Sequence, residues 1–337
     1  MVDHLGPSHI REAGVIQESH EGLQFVNVAY VTPGQGSQFP GMGRDFYESS
    51  KAAKNIIDEA DEALGFKFSE LMFTGSQVEL SDTENAQPAI LIVSMASLAA
   101  MQESLGDKTP KPSVLAGHSL GEYTSMVMSG AIGFGDGVRL VRERGRLMKE
   151  EAKDRPGGMA AIIDLDEDSL EAVCAETGVE IGNDNAKGQL IITGDKLRIA
   201  QAIDLALRRG ARMAIPLKVS GAFHHSILMR GVQDGLGDAL SEISLQDPQT
   251  PIVANSDRKV ITTKKEAREE LIKGVCQRVL WKGSVEDMVR KLRITHFIEI
   301  GPKRTLASLI EQIDKRVQAF SINSPDSIQK LAIEMGI

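Results

Sequence analysis

The sequence is poor in cysteine and in aromatic side chains. Its 337 residues include only Cys174 and Cys276, one tryptophan, and 4% aromatic residues in total. Two widely separated cysteines form neither a zinc-binding pattern nor a disulfide framework, so we expect no metal site and a reducing, cytoplasmic location. Scarce aromatics together with 32 glycines suit a fold in which helices pack closely against a sheet.

Positive charge and long apolar runs are also lacking. The net charge of −9 argues against nucleic acid as the main partner. We find no apolar run of about 18 residues, the length that spans a bilayer, and no apolar core of a secretory signal near the N-terminus. A chain of this length with 42% hydrophobic residues is expected to bury a large core, as two domains or one domain with an insertion.

A Gly-x-Ser-x-Gly motif lies between a predicted buried strand and a predicted helix. Residues 112–116 predict the strand, residues 117–121 read Gly-His-Ser-Leu-Gly, and residues 123–132 predict the helix. This context is typical of a nucleophile elbow, a sharp turn that exposes the serine hydroxyl. The glycines allow the tight turn, and the start of the helix directs free N–H groups towards the serine. Ser119 is therefore the candidate nucleophile.

The order of predicted strands and helices indicates an α/β fold with an inserted unit. Residues 1–24 show little periodicity and are predicted to be a poorly ordered extension or a short surface helix. Alternating strands and helices in residues 25–156 and 219–325 predict a large, α/β-hydrolase-like domain with a mostly parallel sheet. Between them, residues 157–218 follow the order βαββαβ of a ferredoxin-like small domain. Residues 326–337 are expected to form a C-terminal tail or helix.

Other segments carry polar residues in special backbone settings. Residues 33–38, Pro-Gly-Gln-Gly-Ser-Gln, follow the first strand but lack the Gly-Lys-Ser/Thr of a phosphate-binding loop, so their notable side chain is Gln35. Arg144 lies on a predicted helix beside Gly145, whose position in a helix interior indicates close approach to another element. His224 and His225 stand together in a predicted loop.

Several motifs in this order resemble one family. They are residues 33–38, Gln87-Pro88-Ala89, residues 117–122, residues 144–148 (Arg-Gly-Arg-Leu-Met), residues 221–224 (Gly-Ala-Phe-His) and residues 299–302 (Glu-Ile-Gly-Pro). Together they closely resemble the malonyl-CoA:acyl-carrier-protein transacylases of fatty acid synthesis, and the related acyltransferase domains of polyketide synthases share the pattern. The resemblance runs from about residue 25 to residue 323 and includes a ferredoxin-like insertion.

The resemblance implies a malonyl transfer through a malonyl-serine intermediate. Malonyl-CoA would be a substrate, an acyl carrier protein would receive the acyl group on its phosphopantetheine thiol, and no cofactor would be needed. Ser119 would attack, and His224 or His225 would take and return its proton. The backbone N–H groups of Leu120 and Gln35 would hold the oxyanion.

The resemblance also implies how the acyl group is selected. Arg144 would bind the malonyl carboxylate through two parallel hydrogen bonds. The ring of Phe223 would crowd out the methyl branch of methylmalonyl, and Gln87 would line the same pocket. We also place Asn185 among the substrate-binding residues. His118, in contrast, is expected to pack and hydrogen-bond beneath the elbow.

The sequence leaves open which of the two histidines is the base. The intact Gly-Ala-Phe-His motif favours His224. Family members place a methionine four residues after the base, and counting back from Met229 favours His225. We lean towards His224. Backbone carbonyls near Asn255 and Gln277 are the candidates to orient the imidazole.

Two other functions fit part of the pattern. An esterase or lipase of the α/β-hydrolase type shares the elbow but needs a late histidine, and only His296, at the start of an apolar strand, is available. A non-catalytic docking module for carrier proteins would not require Ser119, a loop histidine and Arg144 together.

Carrier proteins are acidic, so we expect a local basic patch for docking despite the negative net charge. The candidate residues are Lys187, Arg208, Arg209, Arg212, Lys303 and Arg304. We expect a monomer, with neither nucleic acid nor a membrane as a partner.

Overall fold

A six-stranded sheet carries the Gly-x-Ser-x-Gly motif at the end of an inner strand. The computed structural model describes residues 15–19 and 22–337. The strands are β1 Val15–Ser19, β2 Gly22–Val26, β3 Val28–Thr32, β4 Val114–Gly117, β5 Gly157–Ile163, β6 Glu180–Ala186, β7 Gln189–Asp195, β8 Met213–Pro216, β9 Ile252–Val253, β10 Val260–Ile261, β11 His296–Ile300 and β12 Gln318–Ile322.

Helices flank these strands along the described chain. They are α1 Arg44–Ser49, α2 Lys51–Leu64, α3 Phe68–Thr74, α4 Gln77–Ser81, α5 Thr83–Leu105, α6 Leu120–Met128, α7 Phe134–Asp154, α8 Glu167–Thr177, α9 Lys196–Arg208, α10 Arg230–Ser241, α11 Lys264–Lys273, α12 Trp281–Arg290, α13 Leu306–Ile313 and α14 Pro325–Met335. Short 3₁₀ turns lie at Gly106–Lys108 and Gly274–Cys276.

The large sheet has the strand order β10-β9-β4-β3-β11-β12. All neighbouring strands in it are parallel except β10, which pairs antiparallel with β9. Every residue of β3 and β4 is buried, as expected for inner strands of a parallel sheet that is covered on both faces. The predicted α/β fold with a mostly parallel sheet is therefore confirmed.

The inserted segment forms a separate sheet with the order β6-β7-β5-β8, in which all pairs are antiparallel. Its own apolar core joins the sheet to α8 and α9, with Leu170, Ile192 and Ala202 fully buried. This arrangement confirms the predicted ferredoxin-like βαββαβ order. The limits 157–218 for a small domain stay a prediction.

Hydrogen bonds mark the start of α5 and the end of α11. Helix α5 begins at Thr83, because the side chain of Asp82 accepts the N–H of Glu84 and caps the helix there. Pro88 consequently lies inside the helix and not in its first turn. Helix α11 ends at Lys273, where the backbone N–H of Gly274 donates to the carbonyl of Glu270.

Part of the predicted N-terminal extension lies outside the described residues. Within it, β1 and β2 pair as an antiparallel hairpin with Val15 opposite Val26. The sequence did not predict this hairpin, because five-residue strands of mixed polarity show little periodicity. The predicted C-terminal tail or helix, in turn, is the helix α14.

One described helix has the length and the mean hydropathy of a membrane span. The segment Thr83–Lys108 contains α5. Within it, a window of 18 residues has a mean hydropathy of 1.4, and 61% of that window is buried inside the protein. Its residues Ile90, Leu91 and Ile92 are fully buried in the main core. We therefore interpret α5 as the central core helix of the large unit.

Candidate active site

Ser119 occupies a strained turn between β4 and α6. Its backbone angles of φ 53° and ψ −104° are rare for a residue with a side chain. The flanking glycines are required by space: a Cβ on Gly117 would lie 2.0 Å from the carbonyl carbon of Gly121. A Cβ on Gly121 would lie 1.9 Å from the carbonyl oxygen of Thr32. The elbow therefore depends on the close approach of β3.

Replacing Gly121 with alanine is expected to destabilise the protein by about 3 kcal/mol, because the added methyl group forces β3 and the elbow apart. Urea unfolding measures the loss. The matched control is Gly237→Ala in α10, where an added Cβ has no neighbour within 4 Å. That change removes a flexible residue from a helix and should preserve or raise stability by up to about 1 kcal/mol. Equal stability of Gly121→Ala and the wild type would contradict the close packing.

The structure brings His224, and not His225, to Ser119. The Nε2 atom of His224 lies 2.7 Å from the Oγ atom of Ser119. Its Nδ1 atom lies 3.0 Å from the carbonyl oxygen of Gly274 and 2.9 Å from that of Gln277. Carbonyl oxygens only accept hydrogen bonds, so the Nδ1 atom carries the proton and Nε2 is free to accept one from the serine.

His225 turns away from the serine and holds its own loop. Its Nδ1 atom accepts the backbone N–H groups of Ile227 and Leu228, at 3.1 and 3.3 Å. It also lies 3.6 Å from the carboxylate of Glu180. The count back from Met229 thus selects His225, which holds the turn before α10. The Gly-Ala-Phe-His motif selects His224, which lies beside Ser119.

Asn255 and Glu122 hold the elbow from behind, an arrangement that the sequence did not reveal. The Oδ1 atom of Asn255 accepts the N–H of Ser119 at 2.8 Å, and its Nδ2 atom donates to the carbonyl of Gly117 at 2.6 Å. Glu122 accepts the backbone N–H of Asn255 at 2.9 Å. Burial, reinforced by the charge of Glu270, raises the pKa of Glu122 well above its usual range.

The carbonyl expected near Asn255 to orient the imidazole contacts another group. It accepts the N–H of Leu280, while the carbonyls of Gly274 and Gln277 contact His224. The one sequence signal for the support behind the elbow is Glu122, an acid inside the motif at the start of an apolar helix.

Arg144 lies beside Ser119 with almost no exposure. It is 2% exposed, its Nη1 atom donates to Oε1 of Gln87 at 2.7 Å, and its Nη2 atom donates to Oγ of Ser119 at 3.2 Å. Its guanidinium carbon is 5.0 Å from the ring centre of Tyr123. Within the described chain, its Nε atom has no hydrogen-bond partner. A buried guanidinium with a spare donor is suited to binding a carboxylate.

Helix α7 carries Arg144 to this place by packing closely against the start of α5. A Cβ on Gly145 would lie 2.5 Å from the carbonyl oxygen of Thr83. The glycine beside Arg144 therefore marks a close helix contact, as its position in a helix interior indicated.

A cavity of about 420 Å³ lies over Ser119, Arg144 and His224, between the elbow and the small sheet. It is also lined by four of the predicted substrate-binding residues: Gln35, Leu120, Asn185 and Phe223. Apolar side chains that the sequence did not single out complete its wall, namely Met148, Met159, Ile191 and Leu217. Gln87 is fully buried behind the cavity and reaches it through Arg144.

Two backbone donors of the cavity are available to a ligand. In the part of the chain that the structure describes, neither the N–H of Leu120 nor that of Gln35 is donated to another protein atom. The side chain of Gln35 instead accepts the hydroxyl of Thr83 and holds its loop. Oxyanion sites in acyl-transfer enzymes are built from such free N–H groups.

His118 lines the same cavity as Ser119 and contacts the small sheet. Its Nε2 atom lies 2.8 Å from Oδ1 of Asn185, and its ring meets the ring of Trp281 edge-on at 5.9 Å. Burial lowers the pKa of His118. The contact also fixes Asn185, which lines the cavity from the small sheet.

The late histidine required by the esterase alternative lies elsewhere. His296 begins β11, so it lies at the opposite edge of the parallel sheet from the carboxyl end of β4, where the elbow is located. Its ring stacks on Phe320 at 6.0 Å and its Nδ1 atom contacts Oγ1 of Thr295. His296 therefore has a packing role and cannot activate Ser119.

Half of the predicted docking cations are already paired with acids. Arg209 pairs with Glu176, Arg212 with Asp164, and Arg304 with Glu311. The ammonium group of Lys303 lies 5.6 Å from the ring centre of Phe39. Ion pairs on the surface reduce the charge that these arginines offer to an acidic partner.

A serine hydroxyl beside a histidine whose Nδ1 atom is held by backbone carbonyls is suited to moving an acyl group through a serine ester, as a serine-dependent acyltransferase does. The comparison with protein families agrees with this class. The chain belongs to the family described as "Acyl transferase domain", whose model matches residues 29–320.

Curated relatives of the chain share one description. The malonyl CoA-acyl carrier protein transacylase of Bacillus subtilis (strain 168) is 40% identical over 312 residues, which cover 91% of this chain and 96% of the relative. The protein of the same description from Staphylococcus aureus (strain MRSA252) is 34% identical over 306 residues, 89% of this chain and 97% of the relative.

Solved structures show the same fold over nearly the whole chain. The acyl-carrier-protein S-malonyltransferase from Bartonella henselae superposes with a TM-score of 0.88 at 32% identity, covering 93% of this chain and 100% of that one. A malonyl-transacylase solved in complex with its type II PKS acyl-carrier protein superposes with a TM-score of 0.87 at 35% identity, covering 91% and 99%.

Proposed function

We propose that this protein transfers a malonyl group from CoA to the phosphopantetheine thiol of an acyl carrier protein. The product supplies extender units for fatty acid synthesis, or for the closely related synthesis of polyketides. The buried guanidinium of Arg144, 3.2 Å from the Ser119 hydroxyl, carries the proposal, because it selects an acyl group that ends in a carboxylate. The descriptions of the relatives support the same substrate and acceptor.

In the first half of the reaction, Oγ of Ser119 attacks the thioester carbonyl of malonyl-CoA. The Nε2 atom of His224 takes the hydroxyl proton, and the carbonyls of Gly274 and Gln277 stabilise the resulting imidazolium through Nδ1–H. The N–H groups of Leu120 and Gln35 hold the oxyanion of the tetrahedral intermediate. The carbon–sulfur bond then breaks, and the CoA thiolate leaves with the proton from His224.

The second half reverses these steps with a different thiol. The phosphopantetheine thiol gives its proton to His224 and attacks the malonyl-serine ester, and Ser119 recovers its proton as the new thioester leaves. When malonyl enters, Arg144 exchanges its hydrogen bond to the serine hydroxyl for the malonyl carboxylate. It keeps that carboxylate through both halves of the reaction. The ring of Phe223 limits the space beside the α-carbon of the acyl group, which favours malonyl over methylmalonyl.

The rate of Ser119 acylation is expected to stay level from about pH 8 down to about pH 5. Burial, helped by the positive charge of Arg144 and by His118, lowers the pKa of His224 from 6.5 to about 3. A base with a lowered pKa stays unprotonated, and active, until the pH approaches that value. The unfolded chain regains the ordinary pKa and binds the proton first, so folding stability should decrease as the pH falls below about 6.5.

A neutral serine reagent measures this profile without titration of the malonyl carboxylate. Labelling of Ser119 by an alkyl fluorophosphonate, followed by intact mass, gives the rate at each pH. The variant Arg144→Ala should move the acid limb to higher pH, because it removes one of the groups that lower the pKa. An acid limb near pH 6.5 in the wild type would contradict the lowered pKa.

The test of the proposed function is the fate of malonyl on the wild-type protein. After mixing with malonyl-CoA, intact-mass spectrometry should show a malonyl adduct that persists in water and disappears when phosphopantetheinylated carrier protein is added. Acetyl-CoA and methylmalonyl-CoA should give little adduct. Rapid release of malonate without transfer would favour the esterase alternative, and no adduct from any donor would favour a docking module.

The remaining properties belong to the same proposal. Acyl exchange of this kind needs only serine, histidine and backbone donors, so we propose that the enzyme uses no cofactor. The cytoplasmic location, the monomeric state and the assignment of the domain limits stay predictions. For docking, Lys187 and Arg208 are the better candidates within the predicted patch, since neither has an ion pair among the described residues.

A further inference from the structure

Strand β6 of the small sheet touches the surroundings of His224 on two sides. It is the edge strand of that sheet, so its outer edge has free backbone groups. Bulges interrupt its pairing with β7 between Ile181 and Asn183 and between Asp184 and Ala186. Bulges near active sites redirect side chains and backbone groups. In β6 they leave Gly182 and Asn185 unpaired with β7 and available to the large unit.

The first contact of β6 is with the loop that carries His224. The carboxylate of Glu180 accepts the backbone N–H of Ser226 at 2.8 Å and its hydroxyl at 2.5 Å. Ser226 lies two residues after His224, whose φ of 61° is unusual for a residue with a side chain. An unusual backbone conformation persists only when its surroundings hold it. Glu180 supplies one such restraint from the small sheet.

The second contact of β6 is with the segment that accepts the Nδ1–H of His224. Val279 forms a parallel bridge with Asn183: its N–H donates to Gly182 at 2.9 Å and its carbonyl accepts from Asp184 at 2.8 Å. Gln277, two residues earlier, provides the carbonyl that holds the imidazole at 2.9 Å. The position of that carbonyl therefore depends on how segment 277–280 pairs with β6.

Charged side chains reinforce the second contact. The carboxylate of Asp184 is nearly buried and lies 3.3 Å from the ammonium of Lys282 and 3.7 Å from the guanidinium of Arg278. Arg278 also pairs with Glu167 at the start of α8, at 2.7 Å. Pairs of low exposure that share partners in a network hold geometry better than isolated surface pairs.

Segment 277–280 also reaches the nucleophile. The N–H of Leu280 donates to the carbonyl of Asn255 at 2.9 Å, and the side chain of Asn255 holds the N–H of Ser119. One short segment therefore connects β6, the acceptor of the histidine proton and the support of the serine. These partners are distant in sequence, and the fold brings them together around the pair of Ser119 and His224.

We infer that strand β6 of the small sheet, through Glu180 and Asp184, is the positioning element that aligns His224 with Ser119. Glu180 and Asp184 touch neither substrate nor the reacting atoms, and they act through Ser226 and Val279. The inference rests on the proposed function only in using His224 as the base for Ser119. The small sheet thereby contributes to chemistry in addition to lining the cavity.

The experiment measures how fast Ser119 reacts with an alkyl fluorophosphonate, which reports on the serine–histidine pair whatever the acyl substrate. The Oγ–phosphorus bond forms, the phosphorus–fluorine bond breaks, and the serine proton goes to His224 while fluoride leaves. We expect Glu180→Ala to slow labelling roughly 10- to 100-fold, the cost of a small misplacement of reacting groups. With malonyl-CoA, kcat should fall while KM changes less than about 3-fold.

Three further variants separate positioning from a general loss of structure. Glu180→Gln retains an acceptor for Ser226 and should recover labelling to within about 3-fold of the wild type. Ser226→Ala removes the hydroxyl bond to Glu180 and should also slow labelling. The double variant should be hardly slower than Glu180→Ala alone, since the two residues act as a pair. The control Glu176→Ala removes an exposed ion pair between α8 and the end of α9 in the same unit, and it should change labelling less than about 2-fold.

The outcomes distinguish this inference from the proposed function. Labelling of Glu180→Ala at the wild-type rate, or an equal decrease in Glu176→Ala, would overturn the inference. A loss of labelling that only follows a lowered midpoint of thermal unfolding, without recovery in Glu180→Gln, would overturn it too. A wild-type protein that is labelled at Ser119 but takes no malonyl would overturn the proposed function and leave the inference standing.

Discussion

Replacing either Ser119 or His224 with alanine is expected to lower malonyl transfer by about 10⁴-fold. The serine variant has no hydroxyl to form the ester, and the histidine variant has no group at 2.7 Å to take the hydroxyl proton. Since the two residues act as one unit, the double variant should be scarcely worse than either single variant. Initial rates of transfer to the carrier protein measure the loss, and intact mass shows whether the malonyl adduct forms.

The neighbouring histidine is the matched control for this prediction. His225→Asn keeps a side-chain acceptor for the N–H groups of Ile227 and Leu228, so the loop should remain folded. Its transfer rate should stay within about 10-fold of the wild type. Inactive His225→Asn together with active His224→Ala would exchange the roles of the two histidines and contradict the arrangement in the structure.

Replacing Arg144 with alanine is expected to lower kcat/KM for malonyl-CoA by about 10³-fold, because two charge-assisted hydrogen bonds to the carboxylate are lost. Acetyl-CoA has no carboxylate and leaves the wild-type guanidinium buried without a counter-charge, which opposes its binding. The variant removes that penalty, so its preference for malonyl over acetyl should largely disappear. Competition between the two donors, read by intact mass of the acyl-enzyme, measures the preference.

Helix α7 provides a second arginine as the control. Arg142 pairs with Glu84 at 3.0 Å and lies 5.1 Å from the ring centre of Phe66, and it does not line the cavity. Arg142→Ala should change kcat/KM for malonyl-CoA by less than about 2-fold, as expected for a partly exposed ion pair. A selective preference for malonyl that survives in Arg144→Ala would show that another group recognises the carboxylate.

The supporting residues around the elbow lay beyond sequence reasoning. Asn255 is 136 positions from Ser119, and Glu180 is 46 positions from Ser226. Neither residue belongs to a motif with the group it holds, and a polar residue in a loop or on a strand has many possible roles. Only the folded chain, in which distant strands and loops lie side by side, shows that Asn255 and Glu180 each form a hydrogen bond at the site.

What the sequence by itself determined is the class of fold, the elbow and the identity of its serine. These depend on local properties: the alternation of apolar strands and helices, the βαββαβ order of residues 157–218, and glycines that a tight turn requires. The role of Arg144 came from the resemblance to the family, whereas the glycine beside it indicated only that its helix approaches another element closely. Local patterns of this kind remain in the sequence whatever the distant parts of the chain do.

What only the tertiary structure decided is which histidine meets the serine and what holds it there. Two adjacent loop residues have the same chemistry, and a one-residue difference in the loop reverses which of them points inward. The backbone at His224 has a positive φ, and the carbonyls of Gly274 and Gln277 hold its imidazole. Those restraints come from segments about 50 residues away, so the choice between His224 and His225 is made by long-range packing and not by the local sequence.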